Sequence, residues 1–159
     1  MSSAEALNQV FDQPFVFHDR PVPVGADSRA VWRLPILLLL VRACRGAKAT
    51  PEQLHVLNWA IRSADNAEAL DAFLSGRLRP EDAVVRFEPA LERAVALARG
   101  FGLLSWGDRY WSLTSRGEDL LERIDNDDDA LQVEKMTLQG LGSPLTQAAV
   151  RRLLARGIK

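Results

Sequence analysis

The chain is poor in the residues from which cross-links and metal cages are built: it has one cysteine, Cys44, and two histidines, His18 and His55. A lone thiol excludes an internal disulfide and a thiolate cage, and it suits a reducing compartment such as the cytoplasm. Neither histidine has a second His or Cys at ligand spacing, so no metal site is expected. Catalytic signatures are missing as well. There is no GxSxG elbow and no GxxxxGK(S/T) phosphate loop, and Gly100-Phe101-Gly102 is only a fragment of a glycine signature, so no catalytic residue and no cofactor is assigned. Residues 125–129 place acids where a calcium loop has its first, third and fifth ligands. Ala130 replaces the sharp-turn glycine and Met136 the bidentate glutamate, which excludes that reading. The chain reads as a non-enzyme.

An excess of charge of one sign is missing too. The formal net charge is −1, which gives no general pull towards nucleic acid or an acidic membrane, so any such contact must come from a local patch. No apolar run is long enough for a bilayer, where about 20 residues are needed. The strongest, residues 34–41, is flanked by Arg33 and Arg42 and reads as a buried helix. The first residues lack the basic-then-apolar order of a secretion leader, so a cytoplasmic protein without a membrane anchor is expected. With 159 residues, 47% of them apolar and 26% charged, the chain has room for one folded domain with terminal arms.

Helix and strand signals follow one another in an informative order. Residues 29–44 are helical in pattern, with Pro35 forcing a late start or a kink. Thr50-Pro51-Glu52-Gln53 then combines a Thr cap, a first-turn proline and Gln at capping-box spacing, and Leu54, Leu57 and Ile61 form the buried face that follows. Residues 67–74 give a short inserted helix. From Pro89 an apolar helical face (Ala90, Leu91, Ala94, Val95, Leu97, Ala98) runs to Gly100 and Gly102, which end it. Residues 103–106 and 109–113 read as strands joined by Gly107-Asp108. Thr114 caps the next helix, whose stripe is Leu120, Leu121 and Ile124. Acids at 125–129 suit a helix start, and Ser143-Pro144 reads as a further cap and first turn. The fold class predicted is mainly α with a small β-hairpin: a winged helix-turn-helix over 28–126, an N-terminal arm over 1–27, and extra C-terminal helices over 127–159, packed on the domain or on a partner.

A fold of this class either reads DNA or docks protein. The DNA candidates are Arg86, Arg93 and Arg99 around the helix before the hairpin, and Arg109 in it. Glu88 and Glu92 reduce the first three to a surplus of one, so DNA contact is expected to be weak or auxiliary. Partner candidates are Phe11, Phe15 and Phe17 in the proline-rich arm, Trp106 and Trp111 in the hairpin, and Arg151 and Arg152 near the end. Charge is segregated along the chain. Arg29, Arg33, Arg42, Arg45 and Lys48 are five cations without an intervening acid, whereas residues 118–135 hold eight acids. Neutralisation within the fold and complementary partner patches are the two explanations.

Leu37-Leu38-Leu39-Leu40-Val41, the helix Thr50-Pro51-Glu52-Gln53-Leu54-His55-Val56-Leu57-Asn58-Trp59-Ala60, and Leu113-Thr114-Ser115-Arg116-Gly117 resemble the middle components of bacterial ABC-three-component systems. The resemblance implies a winged-helix adaptor that binds an SMC-like ABC ATPase in a defence or genome-surveillance complex, with no catalytic motif to carry over. Two other readings fit parts of the same pattern. One is a dimeric transcription regulator of the MarR or PadR kind, in which the partner is a second copy and the ligand is DNA. The other is a kleisin-associated subunit of a condensin-like complex.

Overall fold

A computed structural model describes residues 30–155. The arm with Phe11, Phe15 and Phe17, together with Arg29, lies outside them. At the centre is α1 (Ala30–Ala43), whose Leu37, Leu38, Leu39, Leu40 and Val41 are all at most 2% exposed. A helix apolar on every side must be covered on every side. α2 (Pro51–Ala60), α4 (Pro89–Gly100), α5 (Ser115–Asp125) and α6 (Gln132–Leu141) pack against it. Pro35 neither delays nor ends α1. It stands in the second turn, so the one bond it forgoes is to the carbonyl of residue 31.

The capping box of α2 forms as its sequence requires: Thr50 Oγ1 accepts from the Gln53 amide at 3.2 Å, and Gln53 Oε1 accepts from the Thr50 amide at 2.9 Å. α3 (Ala64–Leu74) starts earlier than its apolar pattern suggests, because Ser63 caps it. After α4 come β2 (Leu104–Gly107) and β3 (Tyr110–Leu113). Their two-residue turn is Asp108-Arg109, one position later than the sequence suggested, and Gly107 pairs with Tyr110. Both turn residues have positive φ, 53° and 70°. That is the type I′ pattern which suits the twist of a hairpin.

The hairpin does not stand alone. Lys48–Ala49 forms β1, which pairs antiparallel with β3 to give a three-stranded sheet in the order β1-β3-β2. A two-residue strand is too short to leave an alternating pattern, so the sequence shows only the hairpin. The fold described is thus mainly helical with a small antiparallel sheet, an order compatible with a winged helix.

Two C-terminal expectations need correction. The helix expected after the acidic run is present as α6, but the run does not stand in its first turn; it spans the end of α5 and the link to α6. Carboxylates at a helix C-terminus oppose the dipole, and here cations offset them. Arg42 pairs with Asp125, and Lys135 Nζ donates to the carbonyls of Ile124 at 2.7 Å and Asp127 at 3.1 Å. Likewise α7 (Gln147–Leu154) is capped by Thr146, not Ser143. Both α6 and α7 contribute to the core through Leu138, Leu141, Ala149, Val150 and Leu153. Gly142 brings the end of α6 so close to Ala43 that a Cβ there would overlap its backbone, and Gly117 is pressed in the same way against Leu103. Among the described residues no helix is long and apolar enough to cross a membrane.

Candidate functional site

A largely apolar concavity lies between α2, α4 and β3. One wall is the outer face of α4, with Leu91, Glu92, Val95, Ala96 and Arg99. The other is Pro51, Leu54 and His55 of α2, and Trp111 closes the end; the cavity measures about 620 Å³. Helical spacing explains the α4 wall. Positions 91, 95 and 99 recur at four-residue intervals, so their side chains form one row, with 92 and 96 beside it. Leu91 belongs to the core and Val95 packs against it, which makes the floor of the groove continuous with the interior.

His55 is held flat in this wall. Its ring stacks on Phe87 with centroids 4.1 Å apart and an interplanar angle of 8°. Burial pushes its pKa down, against the opposing pull of Glu92 and Glu52, so the imidazole is neutral at pH 7. The approach of Nε2 to Glu92 at 3.8 Å is then not an ion pair. Nδ1 is buried and has no hydrogen-bond partner. A polar atom left in that state costs about 1–3 kcal/mol.

Glu88 anchors the start of α4. Its carboxylate accepts from Arg33 Nη1 at 3.0 Å and Nη2 at 2.7 Å and from Asn58 Nδ2 at 3.2 Å, and Arg62 stands 3.4 Å away. The hydrogen bonds from Arg33 hold this carboxyl below the ordinary carboxylate range, more than burial raises it. One side chain thereby ties α1 and α2 to the start of α4.

The sequence-predicted residues are dispersed around this centre. Arg93 and Arg99 are exposed on α4, and only Arg99 lines the groove; Arg86 is exposed in the link before α4. Arg109 is at the hairpin tip, above a separate hollow shared with Thr50, Glu52 and Trp106. Trp106 and Trp111 are cross-strand neighbours with ring centroids 4.9 Å apart. Trp106 is 46% exposed, whereas Trp111 packs against the core. Arg152 lies over the Phe73 ring at 5.5 Å, and Arg151 is exposed on α7. Of the segregated cations, Arg33 and Arg42 are neutralised inside the fold, by Glu88 and Asp125.

Sequence reasoning missed the groove itself. Leu91 and Val95 read as ordinary core stripe, and nothing local distinguishes a covered apolar row from an open one. The available signal was width, since Leu91, Ala94, Val95, Leu97 and Ala98 span more of α4 than one packing face requires. Phe87 and Trp32, 49% and 79% exposed, were also not singled out. No protein-family model, curated protein or solved structure matches this chain.

Proposed function

We propose that this protein is a non-enzymatic winged-helix adaptor whose α2–α4 groove receives an apolar segment of a protein partner. The order β1-β3-β2, with α4 leading into the hairpin, supports the winged-helix reading, in which α4 would correspond to the recognition helix of a DNA reader. One observation carries the functional reading: the face of α4 at that place is an apolar groove, not a row of cations. A duplex offers phosphates and polar base edges to such a face. An apolar side chain fits it better, each fully buried Leu or Phe contributing about 1.5–3 kcal/mol. The partner implied by the resemblance is an SMC-like ABC ATPase subunit of a defence or genome-surveillance complex, with DNA contact auxiliary.

The experiment is co-purification with an ABC ATPase encoded beside this chain, comparing wild type with Ala96→Glu. Position 96 is exposed on the groove wall, so the charge blocks an apolar guest without entering the core. Loss of the complex with unchanged helicity is expected. A regulator of the MarR or PadR kind would instead bind its own upstream DNA with steep salt dependence, abolished by Arg93→Ala and Arg109→Ala. That result, with no ATPase captured, overturns the adaptor reading.

A further inference from the structure

Of the five cations that open the chain's basic stretch, the fold neutralises two and leaves Arg45 and Lys48 without an ion pair among the described residues. Both line one cleft of about 460 Å³ with Tyr110, Ser143, Thr146 and Gln147, and no carboxylate of the described residues lines it. The cleft shares no residue with the α2–α4 groove.

The construction of the cleft is specific. Between its two cations, Gly46 and Ala47 both take positive φ, 70° and 50°. Alanine in that conformation is strained by about 1–2 kcal/mol, a cost that an arbitrary surface turn avoids. The opposite wall is brought in by the close approach of Gly142 to Ala43, and Gln53 Nε2 fixes it by donating to the Leu145 carbonyl at 2.7 Å. The hydroxyls keep donor capacity. Tyr110 Oη already accepts from Gln147 Nε2 at 2.5 Å, and Thr146 Oγ1 from the Ala149 amide at 3.1 Å, so both have a proton left to give. A guanidinium, an ammonium and two such hydroxyls therefore face one cleft.

We infer that this cleft is an oxyanion site that binds a phosphate group. A phosphate presents several strong acceptors and negative charge, matching a wall of donors and two cations. The placement favours a nucleic-acid backbone as its source. The adjoining hollow shares Tyr110 and Gln147, so the donor wall continues towards the hairpin tip, where Arg109 stands with Glu52 and Asp108. Nucleic acid would then run past β1 and α7, not across α4.

The test compares wild type with Arg45→Gln/Lys48→Gln, two exposed positions whose change leaves the core intact. Two probes are used: inorganic phosphate against chloride at matched ionic strength, read by melting temperature, and fluorescein-labelled single- and double-stranded 20-mers, read by anisotropy from 50 to 200 mM salt. In wild type, phosphate raises the melting temperature. For duplex DNA, removing two phosphate contacts weakens binding at least about tenfold at low salt and lowers the slope of log K against log salt by about 1.8. A phosphate effect lost in the variant, with oligonucleotide binding unchanged, keeps the oxyanion site and assigns it to a free phosphate. No phosphate effect, together with identical oligonucleotide affinity and slope in both proteins, overturns the inference. Ala96→Glu, which closes the other groove, leaves both readouts at wild-type values, so the two sites stand or fall separately.

Discussion

Two glycines near the end of α6 should respond to the same substitution with opposite signs. Gly142 has a helical backbone, φ −69° and ψ −50°, which alanine adopts readily. On backbone grounds alone Gly142→Ala would stabilise the fold by about 0.5–1 kcal/mol, because glycine loses more freedom on folding. Packing opposes this. The new Cβ would lie 2.5 Å from Ala43 Cβ and 2.7 Å from its carbonyl carbon, and closer still to its oxygen. Carbon atoms rest about 3.5–4.0 Å apart, so the end of α6 must retreat by about 1 Å from α1. The obstacle is backbone and a rigid methyl, with no flexible side chain to swing away. Overpacking of this kind costs about 1–3 kcal/mol, which outweighs the backbone gain. Gly140 is the control, since a Cβ there meets nothing within 4 Å. Gly140→Ala should therefore raise stability by about 0.5–1 kcal/mol. In a domain of this size each kcal/mol moves the melting temperature by about 2–4 °C, so the two variants should separate clearly. Urea titrations followed by far-UV circular dichroism measure the difference as a shift in midpoint at constant m. If Gly142→Ala is stabilising like Gly140→Ala, the α1–α6 contact is not as close as described here. The oxyanion cleft, which depends on that contact, would lose its wall with it.

Stability should also decline on acidification in two stages. His55 and Glu88 both have folded-state pKa values below their ordinary ones, so the native state binds fewer protons than the unfolded chain. His55's contribution is complete above about pH 6.5 and is lost as pH falls from there towards its folded value. Glu88's is complete above about pH 4.5 and is lost as pH falls through its own folded value. His55→Leu should flatten the first stage of a urea-stability profile against pH. Glu88→Gln should flatten the second and cost about 2 kcal/mol at pH 7, where Arg33 loses its charged acceptor; unchanged profiles would refute the assignments. At the hairpin tip, Arg109 holds the second positive-φ position of a type I′ turn, where glycine is preferred. Arg109→Gly should raise the melting temperature by about 1–4 °C, given a gain of about 0.5–1 kcal/mol, and weaken oligonucleotide binding at low salt. Loss of stability would show that the arginine is anchored in the fold.

How much of this was legible in the chain depends on the length scale of each signal. The capping box at Thr50 and Gln53, the buried run at residues 37–41 and the Thr114 cap are local patterns with local causes, and each forms as read. β1 was not legible, because two residues carry no period. Its existence depends on β3 presenting a free edge more than sixty positions away, with Lys48 opposite Ser112. The helix expected after the acidic run does follow it, as α6, but the run itself lies across the end of α5 and the link, where Arg42 pairs with Asp125 and Lys135 bonds the Ile124 and Asp127 carbonyls, partnerships visible only in three dimensions.

The same distinction governs the sites. A surplus of one arginine around α4 was countable from the sequence, and it is the ground for expecting DNA contact there to be weak or auxiliary. What counting could not provide was the destination of each charge. Arg33 and Arg45 are equivalent as letters, yet one is consumed by Glu88 and the other is left beside Lys48 in a cleft of donors. Nor could counting tell an apolar row covered by a neighbour from one left open, which is the difference between core and groove at Leu91 and Val95. Both proposed sites rest on residues left over after folding has been satisfied: the uncovered part of α4's stripe, and the two cations without an ion pair among the described residues. Identifying them requires the whole set of pairings first, which is why the arginines nearest the recognition-helix position drew attention while Arg45 and Lys48 passed as part of a charge run.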